Sequence, residues 1–306
     1  MTKKSGRTLF LKIGVLTVGL VAMIVVSFLG SEVGSGIFGL KPVGLLKVEA
    51  PKYHPAPERP FPSLPITNTM ITAWISIVVL SLLFIIGTHN MKLVPSGLQN
   101  LLELIVEAAA NFIEDPAGEK HGRWFFPICT TIFLFVVANA WVSLIPGFET
   151  IQVNGEPLLR SANTDLNIPA SLAVVSFIFV EYWGFKARGV SYLKTFFHVG
   201  PLWGALKLLF SGNIKAGAGS LLNGFVSLFA GLLEILSHLI RMVSFTFRLF
   251  GNMTAGMILV MIMIFLVPWV LPTVFYGMEA FFGFIQAMIF AGLTLGFACA
   301  AVMDEE

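Results

Sequence analysis

Charge is what this sequence has least of. Only 12% of its 306 residues are Asp, Glu, Lys or Arg, about half of what a soluble domain carries. Cysteine is nearly absent: two in all, Cys129 and Cys299, both inside apolar runs. They read as core or lipid-facing residues, which leaves neither a disulfide framework nor a cysteine metal site. There is no Gly-rich phosphate loop followed by lysine, no metal-ligand cluster and no nucleophile–base pairing. The chain therefore shows no active site for bond-making chemistry and calls for no cofactor. A formal charge of +2 gives no reason to expect a nucleic-acid partner, and no internal repeat is visible.

What the sequence does have is apolar length, with hydrophobic residues at 56% and Phe occurring 29 times. Several runs reach the roughly 20 residues that span a bilayer as a helix. The expected fold is an all-α polytopic membrane protein, with about five core membrane helices, an extra N-terminal apolar helix and a long tilted two-helix hairpin at the C-terminus. The first 30 residues pair a basic head with an apolar run. Leu9–Gly30 is longer than a usual signal core and no small-x-small cleavage site follows, so a retained helix is expected rather than a signal peptide. Residues 31–66 form a Pro-rich loop, and the membrane domain is expected over 67–306.

Spans are expected at about 67–88, 124–146 and 168–185. Between the first two, "PSGLQNLLELIVEAAANFIED" keeps apolar residues at helical spacing, with Glu103, Glu107 and Asn111 on the other face and Ser96 as N-cap. It reads as a separate helix along the interface. The Gly-rich stretch to Gly219 contains no complete span. From about 221 to 303 the pattern gives two long antiparallel helices broken around "VPWVLPT". The first covers about 40 residues, or roughly 60 Å, twice the hydrocarbon thickness, so it must tilt, bend or project. Lys3, Lys4 and Arg7, then Lys186, Arg188, Lys194, Lys207 and Lys215, place the N-terminus and the third connection on the cytoplasmic side. Six spans put the C-terminus there too.

One polar stripe breaks the apolar pattern. At 100° per residue, Glu234, Ser237, Arg241, Ser244 and Asn252 fall within about 40° of Arg248, and Gly251 and Ala255 lie near the same side. Intramembrane charge costs about 2.5–3.5 kcal/mol on insertion scales, so this face must meet protein or water, and its small residues admit a neighbouring helix closely. Glu279 and Gln286, seven apart, repeat the pattern weakly on the last helix. Arg248 as a plain structural staple needs a carboxylate, yet Glu234 is fourteen residues away, about 21 Å along the axis. Arg241 is the nearer partner for Glu234, though only through a bridge. The counter-charge of Arg248 is expected from elsewhere, another subunit included. His238 sits about 80° off the stripe; a satisfied interface histidine and a proton relay both fit it. Arginines at every third residue, as a voltage sensor requires, are missing.

"SFTFRLFGNMTAG" (Ser244–Gly256) resembles the signature of subunit a of the F-type ATP synthase membrane sector. "PSGLQNLLE", "NAWVSLIPG", "TDLN" and "GFIQAMIFAGLTL" resemble other pieces of that family, from about Pro65 to the end. The resemblance implies a non-catalytic stator subunit of the rotary ATP synthase in a bacterial plasma membrane. Two offset half-channels would carry protons to and from the carboxylates of a c-subunit ring, with peripheral-stalk b subunits and lipid as further partners. It makes Arg248 the essential arginine, and its missing counter-charge the ring carboxylate. Glu234, Ser244, Asn252 and Gln286 match polar sites of the family's channels; Asp165 and Asn167 match its polar loop near the entry side. Glu234 and Arg241 are expected to line water in the inner half-channel, with His238 kept among the proton-path candidates. Many members carry an acid or histidine directly after the Ala-Gly of the arginine helix, where this chain has Met257. Glu279 is then expected to serve the outer half-channel alone. A secondary transporter with Arg248 as an anion site would need a substrate cavity and repeated halves, which the sequence does not show. A scaffold subunit would not need the stripe.

Overall fold

The computed structural model describes residues 2–39, 54–145, 147–192, 214–269 and 271–302. Helices α1 (Thr2–Leu29), α2 (Glu32–Phe38), α3 (Asn68–Thr88), α4 (Leu98–Val142), α5 (Asn167–Arg188), α6 (Ile214–Leu266) and α7 (Leu271–Val302) account for most of them. Six, all but α2, are long and apolar enough to cross a membrane. The chain is an all-α polytopic membrane protein. Lys194 and Lys207, used for orientation, lie outside the described residues, as do residues 40–53 of the Pro-rich loop.

Three elements differ from the sequence expectation, the first being α2, since Glu32–Phe38 is helical inside the stretch 31–66 read as a Pro-rich loop. The interfacial helix and the following span are two helices, as expected, and α4 holds both, joined at a kink at Gly118, whose φ of 71° and ψ of 161° are non-helical and suit glycine alone. This helix begins at Leu98 after Gly97, itself at φ 60°, so Ser96 is not its cap. Helix α6 is longer than expected, 53 residues or about 80 Å. It starts inside the Gly-rich stretch, because glycine weakens a helix without stopping one. Pro268 then closes it, since the residue before a proline is pushed out of helical geometry. Finally, the polar loop between α4 and α5 holds a small hairpin, β1 (Gln152–Val153) against β2 (Glu156–Pro157). Its turn, Asn154–Gly155, has φ of 56° and 85°, the pair of positive values that an Asn-Gly turn supplies.

The chain divides into two compact units. One gathers the described parts of Met1–Thr72, Asn139–Thr164 and Gly251–Ile285. Here buried Arg160 ties two loops together. Its Nη1 donates to the carbonyls of His54 (2.8 Å) and Ala56 (3.1 Å), and its Nε to Thr164 Oγ1 (3.2 Å). Asn154 Nδ2 donates to the Pro60 carbonyl at 2.9 Å. The α6–α7 turn meets α1 where the Trp269 N–H donates to Ser27 Oγ at 3.3 Å.

The other unit gathers the described parts of Ala73–Ala138, Asp165–Phe250 and Gln286–Glu306. Its core joins α4, α5 and α7 through Ile113, Phe125, Val180, Trp183, Leu295 and Ala298. Rings from α4 and α5 meet edge-on, Phe125 with Trp183 at 5.4 Å and Trp124 with Trp183 at 4.9 Å, the geometry that ring quadrupoles favour. Both cysteines are free and buried in this core. Ser176 and Thr294 share a hydrogen bond of 2.7 Å between α5 and α7, a polar tie between helices of the kind membrane bundles use.

In the first unit α4 and α7 approach closely at Gly283. A Cβ built there would lie 2.7 Å from Ala140 Cβ, and one turn away Trp141 Nε1 donates to the Ala280 carbonyl at 3.1 Å. Gly283→Leu should force these helices apart, at a cost of about 1–3 kcal/mol by analogy with overpacked cores. Thermal melting in detergent should show a lowered midpoint; an unchanged one would mean the contact is not tight.

Candidate proton-path residues

Helix α6 presents its polar stripe outward. Ser237, Ser244, Arg248, Gly251, Asn252 and Ala255 are exposed, while Phe245, Leu249 and Met253 are buried. The Arg248 side chain makes one hydrogen bond among the described residues: its Nη2 donates to Ser244 Oγ at 3.4 Å. No carboxylate of these residues lies within ion-pair distance of it. A permanent cation thus stands on an exposed face of an apolar helix, next to small side chains and without an acid beside it among the described residues.

Further towards the start of α6 the charges are paired. His238 Nδ1 stands 2.6 Å from Glu181 Oε1 of α5, and His238 Nε2 is 3.3 Å from Glu234 Oε1. The imidazole bridges two carboxylates. One is largely buried, with the Glu181 side chain 16% exposed, and the other is open, with that of Glu234 44% exposed. Beyond the end of α5, Tyr192 hydrogen-bonds Glu181; its hydroxyl is pushed up to about 12, first by burial and then by the Glu181 charge. It therefore stays protonated and donates. Arg241 stacks over the Phe297 ring at 3.5 Å. Glu234 consequently pairs with His238, four residues on, rather than with Arg241. Four residues put two side chains side by side on a helix, whereas seven separate them by about 10 Å.

Glu181 was not among the residues the sequence analysis singled out. Its signal was nevertheless present, as the single acid of α5 in the run "FIFVEYWGF". An ionisable residue inside an apolar span is a functional candidate by default.

Glu279 lies elsewhere, in the first unit. It lines a cavity of about 210 Å³ together with Ser143, Thr150, Ser161, Met257 and Tyr276. Gly256 leaves room for it, since a Cβ at that position would sit 3.2 Å from Glu279 Oε1. Met257, the departure from the family pattern, is thus in the same cavity as the acid. Gln286 is buried at 3% exposure. Asp165 is buried and forms a local turn, its Oδ1 accepting both the N–H and the Nδ2 of Asn167 at 3.0 Å. That turn starts α5, the local backbone role that aspartate fills well. Among the described residues no three His, Cys, Asp or Glu side chains are grouped to hold a metal ion.

This architecture is that of a multi-pass membrane subunit with a charged stripe and separate acid clusters. A model of the family described as ATP synthase A chain matches residues 70–298. ATP synthase subunit a of Trichlorobacter lovleyi is 34% identical over 228 residues, covering 74% of this chain and 84% of that protein. The subunit of Geobacter sulfurreducens is 33% identical over 222 residues (72% and 82%) and that of Helicobacter hepaticus 31% over 230 (75% and 87%). The chain belongs to the ATP synthase A chain family, and its role is the family's, a proton-channel stator subunit in the membrane sector of ATP synthase.

The cavity and the buried glutamine predict a difference in access. In a background lacking Cys129 and Cys299, cysteine at position 279 should react with a small water-soluble thiol reagent at a rate at least about tenfold above cysteine at position 286. Equal rates would mean that water does not reach the Glu279 cavity.

Proposed function

We propose that this subunit builds two offset aqueous half-channels that hand protons to and from the carboxylates of a c-subunit ring, with Arg248 between them. The observation that carries this reading is the exposed Arg248, whose own chain offers no carboxylate within reach among the described residues. A ring of buried acids passing the stripe would supply its counter-charge one after another. Ring, peripheral-stalk b subunits and a bacterial plasma membrane complete the setting, in keeping with the bacterial relatives.

The chemistry divides between permanent and exchangeable charge. A guanidinium does not give up its proton in a protein. It therefore favours the ionised form of a carboxylate beside it and carries no proton across itself. A ring carboxylate nearing Arg248 releases its proton into one half-channel, and on leaving is reprotonated from the other. Each proton moved through 100 mV releases about 2.3 kcal/mol. On the cytoplasmic side Glu234, His238 and Glu181 suit the channel. An imidazole that touches a carboxylate through each nitrogen takes a proton at one and releases it at the other. Arg241, on the Phe297 ring, adds a fixed positive charge near the same route, and Ser244 adds a hydroxyl beside Arg248. On the outer side Glu279 is the acid in a cavity otherwise lined by hydroxyls and apolar groups, with Gln286 and Asn252 as polar neighbours along their helices. Asp165 and Asn167 act through the turn that starts α5.

Two sets of variants test the reading. Arg248→Lys is shorter, lacks the planar fork and surrenders a proton when desolvated. It should abolish coupled ATP synthesis while the complex still assembles. Arg248→Ala should add a passive proton leak, measured as flux into vesicles under an imposed potential, and blocking the ring carboxylate should suppress it. A lysine variant that makes ATP at near the normal rate would reduce Arg248 to a staple.

The relay makes a separate demand. Glu181→Gln and His238→Gln should each slow proton flux by about tenfold or more, the low end for a positioned proton-transfer group, and should shift its pH profile. Assembly should be retained. Unaltered flux and profile in both would remove this pair from the path.

A further inference from the structure

A second basic site lies away from the proton-path residues, where the break in α4, the end of α5 and the end of α7 come together within one unit. A cavity of about 170 Å³ is lined there by Lys120, His121, Trp124, Trp183, Lys186 and Val302. That is several times the roughly 30 Å³ of a water molecule. Lys186 is held in place by the rings. Its Nζ lies 3.9 Å from the centre of Trp124 and 4.3 Å from that of Trp183. A cation over an indole face is stabilised, but its charge is not cancelled. Neither Lys120 nor Lys186 has a carboxylate within ion-pair distance among the described residues. The acids nearest in sequence, Asp115, Glu119 and Glu181, do not line the cavity.

The apolar surroundings say what kind of anion fits. Val175, Ile178 and Tyr182 on α5 are 45%, 59% and 57% exposed. At spacings of three and four they form one ridge that leads along the helix to Lys186. Trp124 is 47% exposed beside them. Trp and Tyr settle at the level of lipid headgroups, and an apolar ridge ending at two lysines matches an acyl chain that ends in a phosphate. A soluble anion or an acidic peptide would use the lysines but not the ridge.

We propose that this cavity binds the phosphate headgroup of an anionic phospholipid, with an acyl chain laid along the Val175–Ile178–Tyr182 ridge. The site is formed by this chain alone and does not depend on the half-channel reading. It anchors the start of the α4 span and the end of α5 at one depth in the bilayer.

The test uses the intact ATP synthase complex in phosphatidylcholine bilayers containing a trace of photoreactive phosphatidylglycerol, with the label next to the headgroup. Mass spectrometry should place cross-links on peptides containing residues 120–124 and 183–187. Yield should exceed that of the matching phosphatidylcholine probe by about tenfold or more, in line with two lysines at an anionic lipid surface. The double variant Lys120→Gln, Lys186→Gln should lose that preference and Lys120→Arg, Lys186→Arg should keep it, with ATP hydrolysis by the purified complex confirming assembly. Equal labelling by the two lipids would overturn the proposal. So would competition by inorganic phosphate, which would make the ligand a free anion. The same holds for labelling that arises only after Asp304, Glu305 and Glu306 are replaced by amides, which would assign the cavity to the chain's own acidic end.

Discussion

The rest of this structure depends on a permanent positive charge held on an apolar helix at membrane depth. Arginine in hydrocarbon is expensive, and an internal carboxylate would satisfy it most simply. The chain provides none for Arg248 among its described residues. Its hydrogen-bond partner among the described residues is a serine hydroxyl at 3.4 Å, and the face around it is exposed. On the reading proposed above, a ring carboxylate brought to the small-residue face meets that cost.

Exchangeable charge is kept apart from that cation. The acids with polar company occupy their own settings, Glu279 in a cavity with hydroxyl neighbours and Glu181 and Glu234 on the two nitrogens of His238. A carboxylate placed against Arg248 would neutralise it and, on the proposed reading, occupy the position of a ring carboxylate. The separation is made by register. Glu234 and Arg248 share a helical face but stand far apart along it, and a histidine at i+4 takes the glutamate out of Arg248's reach. Helix α5 contributes Glu181, so the histidine has a second carboxylate partner, less exposed than Glu234.

The membrane helices were legible in the sequence because each is a long apolar run, and the stripe because helical spacing alone puts Glu234, Arg241, Ser244 and Arg248 on one face. Glu181 was passed over for the opposite reason. Its partner is 57 residues away on another helix, and no local pattern joins an acid in "FVEYW" to a histidine in "LSHLI". Arg241, seven residues from Glu234, was expected to reach it only through a bridge, while His238, about 80° off the stripe but four residues on, is its actual partner. The early start of α6 was hidden for a related reason, since it depends on glycines whose effect is set by packing. The Asn154–Gly155 hairpin was signalled in the sequence, but the apolar strands that usually make such a turn conspicuous are only two residues each.

Helix α6 runs 53 residues without a break, and it carries Glu234, His238, Arg241, Ser244, Arg248, Asn252 and Met257 in one continuous register. Inserting or deleting one residue anywhere between them would turn everything beyond it by 100°. The arginine would then point in a different direction from the charges below it, although every side chain was still present. Loops absorb such length changes; this helix has no loop in which to absorb one. Over evolutionary time its sequence is therefore free to drift by substitution, while the number of residues from Glu234 to Met257 should stay fixed across relatives.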